Sequence, residues 1–378
     1  MSKKNGDVII TFVILGIIFS FSILFILMPK KKFSENENRY LQELPVLDVK
    51  NILNGKYAGD LNSYLSDHFY ARDRFINIKT ITDKLLMKTK INGVYLAKDG
   101  YLIEEYNTSL YYDRIIKVLN KFSEKVDIPV QLMLVPTSYV INSSKLPIYI
   151  DSDDQLADMN YIYDNIVFDT INIYDSLMRG NKKYKMFYSY DHHWTSYGAY
   201  YAYLEYCFFN SIVPLPIYEF DIKVISNDFK GTLFSKINDY QIKGEEMHLF
   251  DYSKFSYTLF DLDNNVYKDT LYYSEYLYGK DKYSYYLGTN KPILIIYNNT
   301  INTNDELLII KDSYANSLAP FLINHYKKIH IIDPRYYSSK ISNYILNNKI
   351  NNVLIIYNMN TLGIDSGVGK ISWICFVS

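Results

Sequence analysis

Cysteine is nearly absent from this chain. Two occur among 378 residues, Cys207 and Cys375, and neither has a second thiolate at ligand spacing, which excludes zinc held by cysteines. Cys207 falls on an apolar helical stripe and is expected to pack there. A disulfide between the two has no support in the sequence. An excess of charge is lacking as well: 40 Lys and Arg face 41 Asp and Glu, a formal net charge of −1, so there is no basic footprint for a nucleic acid. Histidine and tryptophan are scarce, with six and two residues.

What the chain has in excess is tyrosine, 41 residues, together with many Asn, Ile and Lys. That bias points to an AT-rich genome, and clusters such as Tyr283–Tyr286 are therefore not read as a binding platform. With 48% hydrophobic and 21% charged residues, the chain is long and apolar enough for one large domain with accessories.

One uncharged run stands apart, "VIITFVILGIIFSFSILFILM" at 8–28. It is long enough to span a bilayer as a helix. Lys3 and Lys4 precede it, Lys30, Lys31 and Lys32 follow, and no small-x-small cleavage site is present, so it reads as an uncleaved signal anchor. Residues 1–7 form a short N-terminus, expected to be cytoplasmic on the activity that the resemblance below implies, and 29–90 a juxtamembrane tether and helical segment. Residues 91–378 form the main domain. The flanking charges do not decide the orientation.

Within that domain, "VYLAKDGYLIEEY" (94–106) reads as a hairpin around Asp99-Gly100. An α/β rhythm follows. "IPVQLMLVP", "NIVFDT", "LLIIKDS", "KIHIID" and "NVLIIYN" are short apolar strands separated by helical stretches, the pattern of a doubly wound, mainly parallel sheet. A strand-rich stretch at about 222–300 reads as an insertion. The tail 363–378 leaves the Tyr/Asn/Lys habit of the chain and has no assignment.

Two stretches carry chemistry. In "YDHHWTSYGAY" (190–200), Asp191 and His193 share a face if the segment is extended. An acid beside an imidazole fixes its tautomer and stabilises the imidazolium. Thr195 and Ser196 are helix-capping residues, which puts the pair on a strand-to-helix loop, and such loops line ligand sites in open α/β sheets. The bland alternative is two satisfied structural histidines. A metal held by Asp191, His192 and His193 is the weaker reading, because adjacent residues rarely aim at one ion. In "LLIIKDSYANSLAPFLINHY" (307–326), Ser313 stands between an apolar strand and a helix. There its hydroxyl would be exposed and the helix N-terminus would face a developing oxyanion; alternatively Asp312 or Ser313 only caps that helix. A serine needs a base to become a nucleophile, and His193 is the candidate.

The Asp-His-His-Trp string before a helix, and the strand ending in Asp-Ser, resemble the bacterial DHHW protein family, which looks related to alginate O-acetyltransferase proteins and to SGNH/GDSL esterases. "ENRYLQELP", "LVPTSYVINSSKLP", "DFKGTLFSK" and "IIDPRYY" fit the same likeness. It implies an SGNH-hydrolase-like domain of circularly permuted motif order outside the cytoplasm. Ser313 would be the nucleophile, His193 the base and Asp191 its orienter. Lys311 stands where GDSL enzymes have glycine. The resemblance further implies Asn358, or else Asn360, as an oxyanion donor. Arg335, Thr137, His192 and Trp194 are substrate- or loop-orienting candidates, and no cofactor is implied. The implied activity is acyl transfer or ester hydrolysis on a cell-surface or exported polysaccharide, with acetyl supplied by a membrane-bound O-acyltransferase. The alternative is a non-catalytic surface glycan-binding or assembly protein whose tyrosine-rich insertion is the working part.

Overall fold

A computed structural model describes residues 3–34, 39–150 and 153–372. Part of "ENRYLQELP", Cys375 and the end of the tail lie outside the described residues. The chain divides into two compact units, 1–88 with 235–242, and 89–234 with 243–378.

The first unit holds helix α1 (Lys3–Leu27), the short strand pair β1 (Phe33–Ser34) and β2 (Arg39–Tyr40), and helices α2 (Val49–Leu53), α3 (Lys56–Asp67) and α4 (Arg72–Leu85). Among the described residues, one stretch, Gly6–Leu27 within α1, is long and apolar enough to cross a membrane, and none of it is buried. The periodic segment 56–90 is two helices rather than one. The break falls at Ala71, which sits at φ 54°, a left-handed value that a helix cannot continue through.

The second unit opens with a three-stranded meander, β3 (Lys90–Ile91), β4 (Val94–Leu96) and β5 (Leu102–Glu104). Asp99 and Gly100 both have positive φ at the expected β4–β5 turn. An eight-stranded mixed sheet follows. Its strands are β6 (Val130–Val135), β7 (Asp169–Asn172), β10 (Tyr257–Asp261), β11 (Val266–Lys268), β12 (Ile293–Asn298), β13 (Glu306–Lys311), β14 (Lys328–Ile332) and β15 (Asn352–Asn358), in the order β11-β10-β12-β14-β13-β15-β6-β7. From β14 to β7 the neighbours are parallel, and from β14 to β11 antiparallel.

The strand-rich stretch is therefore not wholly a module apart. β8 (Asp221–Phe229) and β9 (Glu245–Asp251) form their own hairpin, but β10, β11 and β12 extend the main sheet. The apolar Ile293–Ile296 run is buried against β14 like any other core strand.

Strand β13 shows why the sheet is covered on both faces. Leu307 and Ile309 pack into one apolar cluster, with Met133, Val135, Leu354 and Ile356. Leu308 and Ile310, one residue out of phase, pack into another with Leu132, Leu134, Val353 and Ile355. On the first face lie α8 (Tyr174–Gly180), α9 (Ser196–Phe209) and α11 (Ala315–Leu322), through Leu177, Tyr203 and Leu318. On the second lie α5 (Tyr112–Ser123), α7 (Gln155–Asn165) and α12 (Ile341–Asn347), through Leu119, Ile162 and Ile345. The short helices α6 (Ser138–Ile141), α10 (Thr232–Ile237) and α13 (Met359–Leu362) complete the set. Val368 and Ile371 of the tail join the second cluster, and Cys207 packs in the first as a buried free thiol.

After β13 the chain moves to β14 on one side and then to β15 on the other. The carboxyl end of β13 is thus a topological switch point, where an open sheet leaves a crevice. Ile309, fully buried in mid-sheet, reports on this core. Ile309→Ala should cost about 2–5 kcal/mol of stability, read as a shifted midpoint in urea unfolding; an unchanged midpoint would contradict the packing described.

Candidate active site

Ser313 stands immediately beyond β13, between Lys311-Asp312 and helix α11. Its neighbours hold it there through a buried carboxylate. Asp312 Oδ1 accepts the Tyr314 N–H at 2.9 Å, and Oδ2 accepts from the Asn358 backbone and side chain at 2.7 and 2.6 Å. Lys311 is 1% exposed. Its Nζ donates to Asn290 Oδ1 and Asn316 Oδ1 at 2.7 and 2.8 Å and lies 3.7 Å from Asp333 Oδ2. Burial pushes this ammonium down to about 8, against the pull of Asp333. Lys311 is not among the residues with positive φ, so the turn does not require the glycine of GDSL enzymes.

The Asp191–His193 loop reaches the same point by another route. It follows no strand of the main sheet, contrary to the expected strand-to-helix loop; only an isolated bridge joins Phe187 to Trp194. The backbone N–H groups of Ser189 and Tyr190 donate instead to the Glu245 carboxylate on β9, at 3.0 and 2.9 Å. Asp191 and His193 meet because Asp191 Oδ1 accepts both the His193 backbone N–H, at 2.9 Å, and Nδ1–H, at 2.5 Å. This is an aspartate turn rather than a pleat. Asp191 Oδ2 accepts the N–H and hydroxyl of Thr232 at 2.8 and 2.7 Å.

Four donors therefore surround a carboxylate that is 3% exposed. Burial alone would raise its pKa, but His193, His192 and the hydrogen bonds hold it below the usual carboxylate range. Gly231 makes room for it, since a Cβ there would lie 2.0 Å from Oδ2.

His193 Nε2 is 2.7 Å from Ser313 Oγ. An ionised carboxylate only accepts, so Nδ1 carries the proton and the Nε2 lone pair faces the serine hydroxyl. Burial and the neighbouring His192 push the imidazole down to about 4, although Asp191 pulls the other way. The ring is fixed by stacking on Tyr283, with centroids 3.7 Å apart and planes 10° apart. The Tyr283 hydroxyl is in turn bound to Ser317 at 2.9 Å.

The remaining candidates separate by what they touch. Trp194 is fully buried, and its indole N–H donates to Tyr314 O and Ser317 Oγ at 3.1 and 2.8 Å. It ties the histidine loop to α11. His192 is partly exposed, with Nδ1 on the Thr232 hydroxyl. Asn358 does not face Ser313 as an oxyanion donor: its two amide hydrogens go to Asp312 Oδ2 and Thr361 Oγ1, each at 2.6 Å. Asn360 is likewise committed, to Glu104 and the Glu105 carbonyl. Arg335 forks onto Asp333 at 2.9 and 2.6 Å, a structural ion pair. Thr137 is buried and bound to Gln155.

Sequence reasoning missed Gly231, Thr232, Glu245 and Tyr283. The first two lie in "DFKGTLFSK", a stretch that carried the family likeness but no assigned role. Asp191, His192 and His193 offer ligand atoms within 4.8 Å of one another, yet Asp191 is already saturated by N–H and O–H donors.

A family model described as DHHW protein matches residues 90–332. The chain belongs to the DHHW protein family. A DHHW family protein from Eubacterium siraeum has a similar structure, with TM-score 0.66 and 22% identity over 74% of this chain and 95% of that one. Bacillus cereus PatB1, solved with a sulfonyl adduct, gives TM-score 0.60 and 21% identity over 74% and 97%. These two likenesses establish a shared fold. A weaker one extends to the O-acetyltransferase domain of Pseudomonas putida AlgJ, with TM-score 0.44 and 12% identity over 72% and 93%. No curated protein matches the chain.

The space at Gly231 is testable in this DHHW protein. Gly231→Ala should force the carboxylate off Thr232, destabilise the fold by about 1–3 kcal/mol and abolish the downfield Nδ1 proton resonance of His193. A resonance unchanged from wild type would show that Asp191 is not held as described.

Proposed function

We propose that this chain is a membrane-anchored, extracytoplasmic SGNH-like acyltransferase or esterase, acting on the hydroxyl groups of an exported or cell-surface polysaccharide. The observation that carries this reading is the unbroken hydrogen-bond chain from Asp191 through His193 to Ser313 at the sheet's switch point. Ser313 Oγ attacks the acyl carbonyl while its proton passes to His193 Nε2. The tetrahedral intermediate collapses, the leaving group takes that proton, and an acyl-serine remains. An acceptor hydroxyl, of sugar or water, then gives its proton to His193 and attacks the ester, restoring the serine.

Asp191 stays ionised throughout and stabilises the imidazolium. Among the described residues the N–H of Ser313 has no acceptor, and the Asn316 side chain has its oxygen taken by Lys311, leaving its amide hydrogens free. These are the donors we assign to the oxyanion. The PatB1 structure supports a reactive nucleophile on this fold, because a sulfonyl adduct forms where a nucleophile displaces a leaving group from sulfur.

The family resemblance read from the sequence motivates the remaining parts of this proposal, a polysaccharide hydroxyl as acceptor and acetyl delivered by a membrane-bound O-acyltransferase. The apolar Gly6–Leu27 helix supports the anchor. Within the tyrosine-rich stretch of the alternative, glycan-binding reading, Tyr283, Tyr285 and Tyr286 are buried while Tyr267 and Tyr278 are exposed.

A chromogenic acetyl ester tests the reading. Wild type should turn it over, and Ser313→Ala should lose about 10³-fold or more of kcat/KM; equal rates would remove Ser313 from the reaction. The base must be neutral to work. With His193 pushed down to about 4, kcat/KM should hold from neutral pH to about 5 and fall tenfold per unit below about 4. An acid limb near the ordinary histidine value of about 6.5 would show that burial does not keep the imidazole neutral.

A further inference from the structure

Helix α4 is built inside out. Asn77, Thr80 and Lys84 lie on one side of it, and that side faces the protein. Thr80 is buried and donates to the Ile237 carbonyl at 2.6 Å; Asn77 donates to the Asn238 carbonyl at 3.0 Å; Lys84 pairs with Asp239. The apolar side faces out. Phe75, Ile78, Ile81 and Leu85 are 47%, 58%, 37% and 77% exposed, and Leu86 and Met87 continue the patch past the helix end. A helix on a water-facing surface shows the reverse pattern, and a contiguous apolar stripe of this kind marks a surface that something covers.

The same unit indicates what covers it. The ring of Phe21, within the apolar run of α1, stacks on Phe69 with centroids 5.1 Å apart and lies 6.1 Å from Phe75. Phe21 precedes the end of that run at Leu27 by six residues, about 9 Å along a helix. The start of α4 is therefore level with the inner part of the run's final turns. In-plane amphipathic helices bury their apolar face to about that depth, some 5–10 Å below the headgroup boundary. Exposed cations flank the stripe: Lys79 and Lys88 are 62% and 52% exposed and share one buried acid, Asp83, at 3.2 and 2.6 Å, so the trio keeps one positive charge, and Arg74 is also exposed. Beside Phe69 a cleft of about 560 Å³ is lined by Lys31, Arg74 and Tyr240 among others.

We infer that α4 lies in the plane of the membrane, with Phe75, Ile78, Ile81 and Leu85 among the acyl chains and Arg74, Lys79 and Lys88 among anionic phospholipid headgroups. The inference rests on the proposed reading of Gly6–Leu27 as a membrane span. It adds a second hold on the bilayer, which a single span that can rotate and tilt does not supply.

The full chain in nanodiscs of phosphatidylcholine and phosphatidylglycerol tests this. In a Cys375→Ser background, with the buried Cys207 left unlabelled, an environment-sensitive nitrobenzoxadiazole label is placed at Ile78→Cys or Leu85→Cys. Phe12→Cys marks the span and the exposed Lys121→Cys marks solvent. Doxyl lipids should quench labels at 12, 78 and 85 about two-fold or more relative to 121. Quenching at 12 with water-like, unquenched emission at 78 and 85 overturns the inference and leaves the span. Blue-shifted but unquenched emission at 78 and 85 means that protein, a partner or a second copy, covers the stripe, which also overturns it. No quenching at 12 defeats the span reading, and the inference with it.

Discussion

A carboxylate taken out of water must be surrounded by donors, and Asp191 is the group around which this site is assembled. Its four acceptor positions are met by the backbone and ring of His193 and by the backbone and hydroxyl of Thr232. Each bond fixes something else. The two to His193 set the imidazole's tautomer and plane. The two to Thr232 bring in residues from far along the chain, and they require a glycine beside them. An unpaired charge at this depth would cost several kcal/mol, so the loop, the imidazole and the 231–232 turn hold their positions together or not at all.

The sheet supplies the other half. Ser313 is positioned by β13, whose apolar residues are buried on both faces, and by a second buried carboxylate, Asp312, that ties the serine's turn to the end of β15. The two carboxylates do different work. Asp191 is held ionised by histidines and donors. Burial raises Asp312, which spends its bonds on backbone and side-chain amides. Trp194 joins the two halves by donating to Tyr314 and Ser317 across the gap between the histidine loop and α11. The spacing within Asp-His-His-Trp then has a physical reading, as turn and acceptor, rim, partner of the Ser313 hydroxyl, and anchor in succession.

The parallel strands are legible because buried strands write themselves as apolar runs, and Asp191, His193 and Ser313 are legible because each carries a local signal: an acid two residues before a histidine, a serine where an apolar run meets a helix. Partners supplied from a distance leave no such mark. Glu245 and Thr232 are ordinary residues until the hairpin places them under the loop. Tyr283 is concealed by the chain's tyrosine bias, yet it forms one wall of the imidazole. Asn358 is attractive at a strand end, but the sequence does not show that Asp312 is buried behind it and takes its amide. In the same way 56–90 reads as helical, while the outward turn of α4's apolar side depends on polar partners at 237–239.

Acyl groups should reside on Ser313 during turnover. The most direct measurement is rapid acid quench of the full chain with an activated acetyl ester, followed by peptide mapping by mass spectrometry. One acetyl group on the peptide containing Ser313, absent from Ser313→Ala, is the predicted result. Acetyl on another residue, or turnover with no acylated peptide in either protein, would contradict it.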